Sequence, residues 1–124
     1  MAKILIAEDE DSLRAMCARG LTMAGHDVKT ACDGSEALDL LQREGGGFDL
    51  VLTDIRMPLM DGIALALAAA RDFPDLVILL MTGYADQRER AHGLDALIHD
   101  VISKPFTLAA LRKMVEEALT VRAG

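Results

Sequence analysis

Aromatic residues are scarce in this chain, which has no tryptophan, one tyrosine and three phenylalanines among 124 residues. Few side chains can therefore serve as stacking platforms for nucleic-acid bases. A basic surface is lacking as well, because the formal net charge is −7 at pH 7 and such a charge repels phosphates. We expect no nucleic-acid partner, and the acidity favours solubility and metal binding instead.

Long hydrophobic runs and paired cysteines are also missing. The Ala-rich stretch at 63–70 is too short to span a bilayer, and the N-terminal segment turns acidic at Glu8, where a secretory signal would stay apolar. We therefore expect no membrane partner and a cytoplasmic location. Cys17 and Cys32 lack the C-x-x-C spacing of metal and redox sites, so we expect reduced core thiols.

Short apolar runs alternate with longer segments of helical period. With 52% hydrophobic residues, the chain has the composition of one globular domain that buries a real core. The strand candidates are residues 3–7, 27–31, 49–54, 76–82 and 99–104. The helix candidates are residues 11–24, 35–43, 62–72, 108–118 and, as a weaker polar segment, 85–93. This order predicts an α/β fold with a three-layer, doubly wound, five-stranded parallel sheet.

Polar residues follow four of the predicted strands. In an open parallel sheet the carboxyl ends of the strands lie at one edge, and functional groups collect there. Glu8, Asp9 and Glu10 follow the first strand, whereas Asp54 ends the third, Thr82 ends the fourth and Lys104 ends the fifth. We expect these side chains to converge.

The converging groups have a definite chemistry. Neighbouring carboxylates repel one another and favour a divalent cation, and Mg²⁺ takes one or two carboxylates with a carbonyl and waters. Asp54 could then act as a nucleophile that forms an aspartyl-phosphate. Lys104 would neutralise phosphoryl oxygens, and the Thr82 hydroxyl would donate to one of them.

Four motifs, "AEDED", "LTDIRMPLMDG", "MTG" and "SKPF", resemble in order and spacing the CheY-like, flavodoxin-like receiver domain of two-component response regulators. The resemblance covers nearly the whole chain. It implies phosphorylation of Asp54 by a histidine kinase or histidine phosphotransferase, in a protein that catalyses only its own phosphorylation and dephosphorylation and is otherwise not an enzyme. It further implies a Mg²⁺ site made by Glu8, Asp9, Asp54 and the backbone carbonyl of Arg56. Thr82 and Lys104, which precedes a cis proline in such domains, would contact the phosphoryl group.

The longer segments "MAKILIAEDEDS", "TDIRMPLMDGIALALAAARD" and "GYADQRERAHGLDALIHDVISKPF" resemble the stand-alone receivers of the CpdR type. This resemblance implies a phosphorelay upstream and a downstream protein partner of the ClpXP protease type. We expect a receiver domain over residues 1–121 and a short tail at 122–124, with no output domain.

One position departs from the receiver pattern. Val101 stands three residues before Lys104, where typical receivers carry an aromatic residue, and Tyr84 is the candidate replacement for this switch. A degenerate receiver that binds partners without phosphorylation therefore stays open as an alternative. An aspartate-nucleophile phosphatase would need a second aspartate where Arg56 stands, and the acidic first loop would repel the phosphate of a flavodoxin-type cofactor.

Overall fold

The computed structural model describes residues 2–45, 47–83, 93–94 and 96–123 of the chain. The strands are β1 (Lys3–Ala7), β2 (Asp27–Ala31), β3 (Leu50–Asp54), β4 (Val77–Thr82) and β5 (Asp100–Ser103). The helices are α1 (Asp11–Met23), α2 (Gly34–Arg43), α3 (Gly62–Asp72) and α4 (Leu108–Ala123). All strand pairs are parallel, and the order β2-β1-β3-β4-β5 confirms the predicted five-stranded doubly wound sheet.

Each face of the sheet packs against a pair of helices. Leu5 of β1 belongs to the core that contains buried side chains of α2 and α3. Ile4 and Ile6, on the opposite face, belong to the core that contains buried side chains of α1 and α4. Alternate residues of one strand thus enter two cores, which is why the strand reads as an unbroken apolar run.

Two helices begin at aspartate caps. The side chain of Asp33 accepts a hydrogen bond from the Glu36 amide at 2.8 Å, and that of Asp61 accepts one from the Ala64 amide at 2.9 Å. Each carboxylate satisfies an amide of the first turn that has no partner within the helix. Asp33 and Asp61 are therefore the N-cap residues of α2 and α3.

Several details differ from the sequence predictions. Helix α4 continues to Ala123, beyond the predicted end at 118, so residues 122 and 123 are helical although a tail was expected at 122–124. Both cysteines are free, but only Cys17 is buried; the prediction of a core position for Cys32 is wrong, because that residue is exposed just after β2.

The helix candidate at 85–93 lies outside the described residues except for Gly93. None of the helices in the described ranges has the length and hydropathy needed to cross a bilayer.

Candidate functional site

The carboxyl edge of the sheet brings distant parts of the chain together. Asp54 ends β3 opposite Met81 of β4, and Thr82 ends β4 opposite Ser103 of β5. The amide of Lys104 then donates to the Thr82 carbonyl at 2.7 Å, so the β5 side of the edge stays in register one residue beyond the strand. The parallel pairing therefore places Asp54, Thr82 and Lys104 at one edge of the sheet, although they are far apart in the sequence.

Lys104 joins two acidic side chains at this edge. Its Nζ lies 2.9 Å from Glu8 Oε1 and 2.9 Å from Asp54 Oδ2. Glu8 is fully buried and Asp54 is 5% exposed, so water screens these contacts poorly. Burial lowers the pKa of Lys104, but the hydrogen bonds with Asp54 and Glu8 raise it more, and the net shift is upward. The ammonium is therefore held in its charged form between the two carboxylates.

Both carboxylate oxygens and the backbone carbonyl of Glu8 accept hydrogen bonds. Its Oε2 accepts from the Glu10 amide at 3.0 Å, and its own carbonyl accepts from the Arg14 guanidinium at 2.9 Å. Burial raises the pKa of Glu8 to about 7, although the bonds from the Glu10 backbone and from Lys104 work in the opposite direction. Near neutral pH the protonated and the ionised forms of Glu8 are therefore both populated.

Three acidic residues form a group that fits a hard divalent cation. One carboxylate oxygen from each of Glu8, Asp9 and Asp54 lies within 4.8 Å of the others. Asp9 is exposed while Glu8 and Asp54 are buried, so an ion would reach the buried oxygens from the solvent side. Oxygen donors of this kind, with room for waters, match the coordination that Mg²⁺ prefers.

A cleft of about 630 Å³ opens above Asp54. Both charged and apolar residues line this cleft, and they are Glu10, Leu13, Met16, Asp54, Arg56, Gly83, Lys104, Pro105 and Phe106. The side chain of Arg56 is exposed, and the peptide bond between Lys104 and Pro105 is cis. The cleft leaves space for a charged group directly beside the Asp54 carboxylate.

The candidate residues from the sequence occupy different positions around this centre. Thr82 is buried at the end of β4, and Val101 is half-buried against the core on the α2 and α3 face. Tyr84 lies outside the described residues. Glu10 is the residue before α1 and makes no side-chain cap there, but its amide binds Glu8.

Two further residues, Arg14 and Thr53, contact the backbone of the site residues and carry no signal in the sequence. Arg14 looks like an ordinary helix-surface residue that pairs with Asp11 three positions earlier, yet it also holds the Glu8 carbonyl. The hydroxyl of Thr53 donates to the Asp54 carbonyl at 2.9 Å from the far side of the strand. The Arg14 contact depends on how α1 packs, and the Thr53 contact is a local bond to the next residue; neither has a spacing in the sequence that reveals it.

Comparisons with known proteins agree with this geometry. The family profile of the response regulator receiver domain matches residues 4–116. The response regulator receiver protein CpdR of Brucella abortus is 40% identical over 119 residues, which cover 96% of this chain and 98% of that protein. Other curated relatives are longer, and the chain spans 12% of the length of one sensor kinase and 45% of that of one probable transcriptional regulator.

Solved structures agree as well. A CheY-like receiver domain protein of Methanospirillum hungatei superposes with a TM-score of 0.91 and 28% identity, covering 99% of this chain and 97% of that one. The response regulator TrrA of Thermotoga maritima, solved in complex with Mg²⁺ and BeF, superposes with a TM-score of 0.83 and 29% identity, covering 95% and 99%. The family match, the CpdR relative and the arrangement of acids and lysine lead to one conclusion: this chain belongs to the response regulator receiver domain family of two-component systems.

Proposed function

We propose that the chain is a Mg²⁺-dependent phosphorylation switch in which Asp54 accepts the phosphoryl group. The observation that carries this proposal is the meeting of three carboxylates within 4.8 Å at a lysine that lies 2.9 Å from Asp54. Asp54 stands at the floor of an open cleft, so a phosphoryl donor can reach it from the solvent. The proposed donor is a phosphohistidine of a histidine kinase or histidine phosphotransferase.

The transfer is a single displacement at phosphorus. A carboxylate oxygen of Asp54 forms the new P–O bond as the P–N bond of the donor phosphohistidine breaks, and the imidazole leaves with the electron pair. Lys104 is already fixed beside Asp54 and neutralises charge on the phosphoryl oxygens. Thr82, at the end of the neighbouring strand, donates its hydroxyl to one of these oxygens once transfer is complete.

The acidic group is proposed to hold the metal. Glu8, Asp9 and Asp54 would provide carboxylate oxygens and Arg56 its backbone carbonyl, and bound Mg²⁺ supplies positive charge for the transferring phosphoryl group. The presence of Mg²⁺ with BeF in the similar structure from Thermotoga maritima supports this assignment. The proposal includes slow hydrolysis of the aspartyl-phosphate by the domain itself.

Phosphorylation adds about −1.5 to −2 charge units next to Thr82 and Lys104. This charge draws both groups toward Asp54 and changes the surface around the ends of β4 and β5. Tyr84 is the proposed relay residue because the aromatic position is taken by Val101. Replacing Tyr84 by alanine is expected to leave phosphorylation intact and to abolish its effect on partner binding, which titration of the partner with both forms would measure.

The proposed output is direct contact with a protein partner of the ClpXP protease type. The 40% identity with CpdR over nearly the full length of both chains supports this choice. We expect the unphosphorylated form to bind such machinery and the phosphorylated form to bind it weakly. Equal binding by both forms would instead support the phosphorylation-independent interaction module, which the valine at position 101 favours.

The first experiment is an intact-mass measurement after incubation with acetyl phosphate, with and without Mg²⁺. Wild-type protein is expected to gain one phosphoryl group only with Mg²⁺, and Asp54→Asn is expected to gain none. Asp75→Asn, which removes an exposed carboxylate away from the cleft, is the matched control and should be phosphorylated normally. Absence of a gain in wild type, or a retained gain in Asp54→Asn, would refute the assignment.

A further inference from the structure

The loop between β3 and α3, residues 55–61, carries Arg56 and is pinned at both ends. The amide of Ile55 donates to the Met81 carbonyl at 3.1 Å, and the amide of Gly62 donates to the Ile55 carbonyl at 2.7 Å. The two ends of the loop are thus tied to each other and to β4. Because both ends are held, a displacement of one residue in this loop requires its neighbours in the loop, including Arg56, to move as well.

The first residue of helix α2 lies in close contact with the backbone of this loop. Gly34, the first residue of α2, is buried, and a Cβ atom there would overlap the Met60 carbonyl oxygen and lie 2.8 Å from its carbonyl carbon. Real Cβ atoms do not approach other atoms within 3.0 Å unless something shifts, and here the obstacle is backbone rather than a flexible side-chain end. Glycine is therefore needed at position 34 for close approach and not for a positive φ angle, which among the described glycines occurs at Gly25 and Gly45.

We propose that Gly34 is a positioning residue for the magnesium and phosphoryl site. Its missing side chain lets the Met60 carbonyl lie against α2, and this contact fixes the loop conformation in which Arg56 lines the same cleft as Asp54. Gly34 itself is not among the residues that line the cleft. The inference rests on the proposed function, because it assigns the Arg56 carbonyl to the metal.

The direction of the stability change separates this role from an ordinary helix position. Alanine is a better helix former than glycine, so Gly34→Ala without a loop contact would raise the melting temperature. The Met60 contact predicts the opposite result, since either α2 or the loop has to move. A loss of Mg²⁺ affinity beyond the change in stability would then report the displacement of Arg56.

The experiment compares wild type, Gly34→Ala and a control, Gly93→Ala, where a Cβ atom meets none of the residues that the structure describes within 4 Å. Mg²⁺ affinity is measured by calorimetry, and backbone amide chemical shifts of residues 55–61 are measured without metal. Gly34→Ala is expected to weaken Mg²⁺ binding about tenfold and to move these amide shifts. It should reach the wild-type extent of phosphorylation by acetyl phosphate only at a higher Mg²⁺ concentration. Gly93→Ala is expected to match wild type in both measurements.

Wild-type Mg²⁺ affinity in Gly34→Ala, or unchanged loop shifts, would overturn the proposal. If that variant does not fold, Asp33→Ala replaces it, because loss of the α2 cap loosens the first turn without adding an atom at position 34. Asp33→Ala should weaken Mg²⁺ binding relative to wild type by less than about tenfold, and unchanged affinity would again overturn the proposal. If wild type binds no Mg²⁺, the proposed function fails. The amide chemical shifts of residues 55–61 in the metal-free protein still decide whether Gly34 determines the conformation of the loop.

Discussion

The Nζ atom of Lys104 lies 2.9 Å from Oδ2 of Asp54, although fifty positions separate the two residues in the chain. The same Nζ lies 2.9 Å from a carboxylate oxygen of Glu8. One ammonium group therefore lies between two buried acids and reduces the repulsion between them. When no metal ion is bound, the charge of Lys104 lowers the electrostatic cost of burying Glu8 and Asp54 close together.

Replacing Lys104 by methionine should destabilise the metal-free protein. The expected loss in the free energy of unfolding at pH 7.5 is about 1–3 kcal/mol, because two buried carboxylates lose their cation while the lysine itself is partly screened by water. Saturating Mg²⁺ should recover part of this loss, since the ion replaces the missing charge. Urea unfolding with and without Mg²⁺ measures both effects.

The control for this substitution is Lys113→Met on the exposed surface of α4. It removes the same charge from the chain without affecting a buried acid, so its unfolding free energy should stay close to that of wild type. A loss in Lys104→Met that is equally large with and without Mg²⁺ would show that packing, rather than charge, is responsible.

The raised pKa of Glu8 predicts a pH-dependent Mg²⁺ affinity. The pKa of this side chain rises from 4.5 to about 7 through burial, so below pH 7 a proton competes with the ion for the carboxylate. Affinity should fall by up to about tenfold per pH unit below pH 7 from this group and should level off above it. Calorimetric titrations between pH 5.5 and about 8 measure this dependence.

Glu8→Gln is the matched variant for the pH series. It should bind Mg²⁺ more weakly at pH 8 and lose most of the slope below pH 7. The folding stability of the metal-free protein should change with pH in the opposite direction to the Mg²⁺ affinity. The pKa of Glu8 is higher in the folded than in the unfolded state, so this group stabilises the fold at low pH, and its contribution is lost as the pH rises through 7. An unchanged slope in Glu8→Gln would assign the pH dependence to another group.

Much of this fold is predictable from the sequence because each strand carries its own signal. Residues 4–7 and 50–52 are unbroken apolar runs that enter two cores, and the acids and the lysine stand at the ends of strands or directly after them. Parallel pairing then brings those ends together regardless of how far apart they lie in the chain.

The details that escaped prediction depend on tertiary contacts. Arg14 shows the ordinary spacing of a surface ion pair, and only the packing of α1 brings it to the Glu8 carbonyl. The "TVRAG" segment contains poor helix formers, but α4 continues to Ala123 because propensity is a weak prior at the end of a packed helix. Gly34 looks like a turn residue, and its contact with the Met60 backbone is visible only in the folded structure.

The Asp61 cap should contribute to stability without contributing to the phosphorylation chemistry. Asp61→Ala removes the acceptor for the Ala64 amide, which costs about 1 kcal/mol in the free energy of unfolding. Asp61→Asn keeps an acceptor oxygen and should lose much less. Both variants should still gain one phosphoryl group from acetyl phosphate with Mg²⁺. A failure of Asp61→Asn to be phosphorylated would place this carboxylate in the site.

Leu59 carries backbone strain in the loop that follows Asp54. Its φ angle is +67°, a conformation that residues other than glycine, asparagine and aspartate rarely adopt, and its side chain is 86% exposed. Little packing is therefore lost on removal of this side chain, and Leu59→Gly should raise the free energy of unfolding by about 0.5–1 kcal/mol after the greater flexibility of unfolded glycine is subtracted. Leu59→Ala, which keeps a Cβ atom and hence the strain, should show no such gain. Urea unfolding of the three proteins measures the difference, and equal stability of the glycine and alanine variants would mean that the loop holds this conformation without cost.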